Sequence, residues 1–565
     1  MRKLNTKAIK QRVIDQASYA GLVETGVHPV MARLYASRNI IPDTLLPDIG
    51  TLPAKGTLEG CLDAGKLLAD AVMSNKHIVI CGDFDSDGST STAVFIRALR
   101  SLGAQANYLI PNRIYGYGIS VDLARRAKDM GAEVLVTVDN GIAGFAGIME
   151  AKKLSMNVII TDHHLSTPDG KLPNADCIVN PNTHNSKSKH LKCLAGVGVA
   201  FYVLGALREE LKARNFNKTF NLSQLIELVS IGTVGDMMFL DATNRSIVNL
   251  GIQRIREGKT LPGTKALLSI TGKNPAKTNA ETIGFTLAPR INAAGRLETA
   301  DIAIEMLITD DIGKALSIAK TLDDINAQRR AIQSEMNEIA IESIENIDVA
   351  DKCSIVVFDE TNNEGVIGLT ASALKEKYSL PSGAFAIAHD GRLKGSFRSI
   401  DGVHVRDAID LVSKRCPELD LRGGGHAMAC GYSFIRTGFD KFVNEFDVAV
   451  RDIAIEGAFN PSLMTDGELK HGEITYELIT AIKAENWGQG FPVPLFEGKF
   501  RVISQRVLKD AHTKLKLQQG LEEFEAILFN HNEPLPETIS ALYKIDVNEY
   551  QGVSTVQLMI EAINL

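Results

Sequence analysis

Four short segments carry the side chains that could do chemistry. Asp83-Phe84-Asp85-Ser86-Asp87-Gly88 sets three carboxylates at alternate positions directly after the apolar run 77–81. Like charges at the edge of a core are unfavourable unless a cation binds them. A calcium loop opening this way needs a glutamate at its twelfth position, and here that position is Val94. The second segment is Val138-Asp139-Asn140-Gly141, and the third is Thr161-Asp162-His163-His164. The fourth is Gly232-Thr233-Val234-Gly235-Asp236, an aspartate closing an apolar run. Singly, a strand-end aspartate is an ordinary turn former or helix cap, and a histidine pair is ordinary packing. Together they describe a metal site whose hard carboxylates and imidazoles suit Mn²⁺ or Mg²⁺ better than structural zinc.

The surrounding pattern says how such residues could meet. Short β-branched runs at 77–81, 106–111, 132–138, 157–161 and 176–180 alternate with stretches of helical spacing. That rhythm predicts a parallel α/β sheet. Ligands bind at the carboxyl ends of such strands, which is where Asp83, Asp139 and Asp162 fall. Residues 1–60 read as helical, and 300–347 as one or two long helices that lack proline. Strand-like runs at 354–359, 383–389 and 393–399 mark a second α/β unit. Beyond Pro461, period-2 alternation with little helix predicts a small antiparallel barrel of the oligonucleotide-binding type. The domains therefore divide as a helical segment 1–60, a catalytic domain 61–300, connecting helices 301–347, a second α/β domain 348–457 and a barrel 458–565.

The 565 residues, 45% apolar and 23% charged with a net charge of −7, exclude a globally basic nucleic-acid coat and a mainly disordered chain. No run approaches the roughly 18 apolar residues of a membrane span, and the basic amino terminus lacks a secretory apolar core. Seven scattered cysteines without a CxxC pair point to the reducing cytoplasm.

Three further features look like a strand grip. Between Arg254 and Arg296, eight Lys/Arg face two Glu, and Arg290 and Arg296 flank the small Ala293-Ala294-Gly295, where a backbone could approach closely. Arg398 with Ser396 and Ser399, and the glycine-rich turn Gly423-Gly424-Gly425 ending at His426, form a candidate phosphate pocket of amides, hydroxyls and a guanidinium. In the barrel, Lys514 and Lys516 alternate with Leu515 and Leu517, and Phe500, Phe524 and Tyr543 are candidate base-stacking platforms. Trp487, in a Gly/Pro-rich loop, reads as a structural anchor.

The four acidic segments in this order resemble the DHH phosphoesterase superfamily. Pro289–Arg296 (PRINAAGR), Gly365-Val366-Ile367-Gly368, Gly395–Ser399 (GSFRS), Gly423–Ala427 (GGGHA), Asp466–Leu469 (DGEL) and Trp487–Pro492 (WGQGFP) narrow the resemblance to the RecJ single-strand-specific exonucleases, from about residue 60 onward. It implies a DHH domain, a connecting helix, a DHHA1 domain and an oligonucleotide-binding barrel. It places metal ligands for two ions on Asp85, Asp87, Asp139, His163 and Asp236, with Asp139 bridging them. Asp83 belongs to the same motif, and Asp162 orients an imidazole while His164 faces the scissile phosphate. It implies that Arg290, Asn292, Arg296, Ser396, Arg398, Ser399, Gly424, Gly425 and His426 hold the strand and its 5′-phosphate. The activity implied is metal-dependent degradation of single-stranded DNA from the 5′ end to 5′-mononucleotides in repair and recombination. Partners such as a RecQ-type helicase or a single-strand-binding protein accompany it by family analogy, and a monomer is the default expectation. The alternatives are a DHH phosphodiesterase for short oligonucleotides or cyclic dinucleotides, and an inactive replication scaffold. Two departures stand out: Asn362-Asn363 replace a family Trp-His pair, and Met237-Met238-Phe239 replace Val-Val-Pro.

Overall fold

The computed structural model describes every residue except 1–8, 46–49, 51, 112–117, 168, 346–348, 350, 461, 509–510, 551–552 and 565. Most of the basic amino terminus and the pattern change at Pro461 thus lie outside the described residues. The amino-terminal segment is not all helix. Strand β1 (Ile9–Gln11) precedes the helices Gln16–Glu24 and Pro29–Ala36. Residues 9–11 are extended because a distant strand, later in the chain, offers them backbone partners, a contact that local spacing does not encode.

The catalytic sheet follows: β2 (Ile78–Cys81), β3 (Ala106–Leu109), β4 (Val134–Val138), β5 (Asn157–Thr161) and β6 (Cys177–Val179). Its order is β3-β2-β4-β5-β6 and every pair is parallel. Cys81 stands level with Thr137, and Val138 with Thr161, so three acidic segments leave one edge side by side. The central strands β2, β4 and β5 are buried on both faces between helices, while the edge strand β3 is partly exposed. The connector is two helices, Asp301–Ile308 and the 34-residue Ile312–Glu345.

The second sheet comprises β7 (Ile355–Phe358), β8 (Ser382–Ile387), β9 (Leu393–Arg398), β10 (Arg422–Gly425) and β11 (Ala429–Phe434), in the order β10-β11-β9-β8-β7. The glycine run expected as a turn is therefore the edge strand β10. Glycine is required there by close packing: a Cβ on Gly423 would lie 2.1 Å from the Gly431 carbonyl oxygen, and one on Gly425 2.5 Å from Cys430 Cα.

Strand β12 (Leu463–Thr465) pairs in parallel with β1. A helix, Tyr476–Ala484, then leads to the barrel strands β13 (Phe496–Leu508), β14 (His512–Gln519), β15 (Glu522–Leu528), β16 (Thr538–Tyr550) and β17 (Val553–Asn564). They close in the order β13-β14-β15-β17-β16, with β15 and β17 as the one parallel pair. Leu515 and Leu517 point inward as expected. Phe500, Phe524 and Tyr543 do too, only 1%, 7% and 0% exposed, so these three are barrel core rather than stacking platforms. Period 2 puts them on the same face as the leucines, and an aromatic side chain filling a small barrel has no surface left for a base. Lys514 and Lys516 face outward, but Glu525 and Glu523 of β15 pair with them.

The amino-terminal helices lie on the barrel side, with Val30, Met31 and Leu34 in one cluster with Phe496 and Leu478. Arg38 and Asp466 lock this contact through two bonds of 2.7 and 2.9 Å between side chains 1% and 2% exposed. Trp487, the only tryptophan, lies under Arg38, donates to the Ile482 carbonyl and stacks on Phe491. Removing one member of a buried pair strands the other charge, at a cost of about 3–5 kcal/mol. Asp466→Ala is expected to lower the denaturant midpoint followed by Trp487 fluorescence, with a loss of unfolding free energy of that size. An unchanged midpoint would mean the pair contributes nothing at this joint.

Candidate active site at the sheet edge

Each acidic segment is held by its own backbone logic. After β2 the chain turns into the helix Ser86–Ser101, whose first turn is capped by Asp85 accepting from Gly88 N at 2.9 Å. A Cβ on Gly88 would sit 2.5 Å from Asp83 Cβ, so the turn closes only with glycine. Asp87 is fully buried and accepts from Gly196 N at 2.6 Å and Val197 N at 2.8 Å, the first amides of the helix Gly196–Ala213. Those amides and the positive helix end favour a carboxylate. Asp139 follows β4 with φ of 60°, a left-handed conformation that non-glycine residues adopt at a cost. Asn140 supports it by donating to the carbonyls of Cys81, Gly82 and Val138.

The acidic groups converge. His163 Nε2 lies 3.2 Å from Asp139, 3.6 Å from Asp236 and 3.8 Å from Asp87. Three groups have ligand atoms within 4.8 Å of one another: Asp83, Asp85 and Asp139; Asp87, His163 and Asp236; and Asp139, His163 and His164. Asp236 arrives as the C-cap of the helix Leu222–Gly235 rather than from a strand. Asp162 faces away from the ligand groups. It accepts from Ile142 N at 2.9 Å, from His163 N at 2.7 Å and from His164 Nδ1 at 2.8 Å.

The electrostatics separate two kinds of group. Burial, then the charges of neighbouring aspartates, push the carboxyls of Asp87, Asp139 and Asp236 upward. Burial would also raise Asp162, but His164 outweighs it and holds Asp162 at about 2. Burial would lower His164, yet Asp162 and its hydrogen bond lift it to about 9. His163 is pushed down to about 3 by burial and the His164 charge, so it is neutral with a lone pair to offer. Carboxylates that resist ionising next to a neutral imidazole fit a hard divalent cation, which would relieve the repulsion.

The expected grip residues divide. Arg290 is tied to Asp323 at 2.7–2.8 Å and to the Thr286 carbonyl, and Arg296 donates to the Gly365 carbonyl. Asn292 accepts from Ser86 N at 2.6 Å. The backbone that approaches the Ala-Ala-Gly run is the protein's own, since a Cβ on Gly295 would lie 2.0 Å from the Phe84 carbonyl oxygen. The helix Ala288–Leu297 is thus a strut between the first aspartate turn and Gly365. Arg398 Nη1 donates to Ser396 Oγ at 3.0 Å, and Gly368 leaves room for both. Ser399 is buried with its hydroxyl on the Val403 carbonyl, outside that group. Gly424 has open space before it, and the His426 ring stacks on His164 with centroids 5.9 Å apart. The second sheet therefore meets the catalytic edge at this ring pair. Asn362 and Asn363 fasten the loop ahead of Val366 to Phe385 O and Gly365 N, and Met237 and Phe239 are exposed.

Sequence reasoning missed the holders: Asn140, the amides of Gly196 and Val197, and Asn180 and Asn182, which donate to the carbonyls of His164 and His163 at 2.9 and 2.7 Å. Asn140 sat inside a quoted motif, and Gly196-Val197-Gly198 opens a helix, but neither type announces a partner far off in the chain.

The DHH family, N-terminal domain, matches residues 77–233, the DHHA1 domain 351–452 and the RecJ OB domain 465–562. Together with the acidic sheet edge they define a phosphoesterase of the DHH class. The single-stranded-DNA-specific exonuclease RecJ of Escherichia coli (strain K12) is 39% identical over 575 residues, covering 98% of each chain. RecJ of Thermus thermophilus in complex with Mn²⁺ has a TM-score of 0.85 at 25% identity, covering 100% of this chain and 80% of that one. The same protein with Mg²⁺ gives 0.78 at 24%, covering 99% and 79%. The chain belongs to the RecJ family of single-stranded-DNA-specific exonucleases.

The raised carboxyls fix the sign of a pH effect. Groups whose folded pKa is raised favour the protonated metal-free fold, and that stability is lost as pH rises through the folded value. A cation must displace those protons. Mn²⁺ uptake is therefore expected to release protons near pH 6, seen as a calorimetric heat that depends on the buffer's ionisation enthalpy. The Mn²⁺-induced rise in melting temperature should be larger at pH 8 than at pH 6. A buffer-independent heat would show the carboxyls already ionised.

Proposed function

We propose that the chain degrades single-stranded DNA from its 5′ end, releasing 5′-mononucleotides at the acidic sheet edge. As a RecJ family member it is a metal-dependent exonuclease specific for single strands. The observation that carries the reading is the convergence of carboxylates and imidazoles from four separate segments, faced by His426 of the second sheet. Asp85, Asp87, Asp139, His163 and Asp236 would hold two Mn²⁺ or Mg²⁺ ions, with Asp83 within reach of the same cluster. Such ions supply Lewis-acid polarisation of the phosphate and a nucleophile at neutral pH.

The chain's own residues do the rest. Asp162 fixes His164 through Nδ1 and keeps it cationic, which leaves Nε2 to donate to a phosphoryl oxygen as charge develops there. The neutral His163 keeps its lone pair for ligation. Arg398, Ser396 and the open edge strand at Gly424 and Gly425 present donors for a terminal phosphate, and binding the end there sets polarity. Asn292, Arg290 and Arg296 support this reading as braces that keep the two halves in register. The trailing strand would run along the barrel, whose family model is the RecJ OB domain. Boundaries at 61, 301, 348 and 458 describe the functional units. Among the described residues no helix is long and apolar enough to cross a membrane. All seven cysteines are free, which supports work in the reducing cytoplasm. A helicase or single-strand-binding protein that exposes strands for repair or recombination would suit a monomeric enzyme of this kind.

Two experiments test it. Asp139→Ala should lose nuclease activity by several orders of magnitude while keeping its circular dichroism spectrum, and wild-type-like turnover would remove Asp139 from the site. Arg398→Ala should lose more activity on 5′-phosphorylated than on 5′-hydroxyl strands. Equal loss on both would argue against end recognition.

A further inference from the structure

The loop between β6 and the helix Gly196–Ala213 is a basic surface fastened beside the catalytic edge. From Cys177 to Arg208 the chain has no Asp or Glu, while Lys187, Lys189 and Lys192 stand in the loop beside His184 and His190. All five are exposed, and among the described residues none of the three lysines has an ion-pair partner. In the basic stretch 254–296, Arg290 pairs with Asp323 and Lys259 with Glu257, while Arg254, Arg256 and Arg296 donate to backbone carbonyls.

The loop is also built to hold its shape. Buried Ser188 and Leu191 alternate with the exposed lysines. Ser188 Oγ accepts from Glu59 N at 2.9 Å, and Lys187 N donates to Glu59 Oε2 at 3.1 Å. Asn182 Nδ2 donates to both the His163 and Lys192 carbonyls, at 2.7 and 3.1 Å. The cations are thereby fastened to the DHH triplet itself. On its other side the loop shares a hollow of about 310 Å³ with Asp241, Ala242 and Thr243. Asp241, its one acid, is occupied in capping the next helix through Asn244 N at 2.9 Å. One residue earlier, Leu240 N donates to Gln489 O of the segment that leads to the barrel, at 2.8 Å. The lysines therefore lie between the metal-ligand cluster and the barrel joint.

We propose that the loop 181–193 is a further contact surface for the phosphodiester backbone of single-stranded DNA, guiding the strand between the barrel and the catalytic edge. It rests on the functional reading above. Ordered lysines without acid partners bind phosphates by releasing counterions, and for single strands each neutralised phosphate adds about 0.7 to the salt slope.

The test is the triple variant Lys187→Gln, Lys189→Gln, Lys192→Gln, which keeps most of each apolar stem. Chelator-treated protein is titrated with a long 5′-phosphorylated oligodeoxythymidine at several salt concentrations. The slope of log affinity against log salt is expected to become shallower by about 2 for three lost contacts. With Mn²⁺ present, KM for the long strand should rise more than kcat falls, and kcat/KM should drop more on the long strand than on a 5′-phosphorylated dinucleotide. An unchanged slope and an unchanged KM in a variant with wild-type melting temperature would overturn the proposal. If the triple variant melts lower, single Lys189→Gln is measured instead, with a slope change of about 0.7 expected and no change overturning the proposal. Wild-type enzyme that leaves the long strand intact would instead sink the functional reading, so the two failures are distinguishable.

Discussion

Carboxylates that repel one another inside a protein wall are the constraint around which this molecule is arranged. Asp87 and Asp139 are almost wholly buried, and beyond burial Asp85 raises the cost of ionising both while Asp87 raises that of Asp139. The amides of Gly196 and Val197 favour the Asp87 carboxylate, but burial outweighs them. The arrangement persists because a strand end, a helix amino terminus and a helix C-cap each over-determine the position of one carboxylate. Glycines at 88, 196, 232 and 295 then bring those elements closer than any side chain would allow. Divalent cations bound there would relieve the repulsion that such a wall holds.

The rest of the fold acts as scaffolding for that wall. The helix Ala288–Leu297 touches the Asp83–Asp85 turn on one side and Gly365 on the other, so the second sheet cannot shift without disturbing the first aspartates. His426 reaches the His164 ring from across the same junction. On the far side, buried Arg38 and Asp466 join the amino-terminal helices to the barrel, and Gln489 of its leading segment holds Leu240, four residues beyond Asp236. These ties hold the catalytic sheet, the second sheet and the barrel side to one another.

The residues that carry chemistry were easy to read from the sequence because strand ends fall after β-branched runs, whatever the tertiary context. Asp83, Asp139 and Asp162 were placed at one edge from periodicity alone. Reading which way a cation faces was harder. Arg290 and Arg296 bind the protein's own acid and carbonyl groups, and Phe500, Phe524 and Tyr543 fill the barrel. Spacing gives the face of a strand but does not say whether that face meets water, a partner strand or a core. The glycine run 423–425 was mistaken for a turn because glycine signals close approach and flexibility alike, and only a neighbouring strand distinguishes them.

From the sequence alone came the parallel sheet, the closed barrel, the metal-binding character and the set of candidate ligands, since these rest on side-chain type and on periods of two and 3.6. Tertiary structure alone decided that Asn140, Asn180 and Asn182 hold the backbone of the acidic motifs, that β1 is a strand, and that Lys187, Lys189 and Lys192 stand exposed without ion-pair partners among the described residues. Each of these depends on which distant group fills the space beside a residue, and burial, pairing and pKa belong to that neighbourhood rather than to the residue.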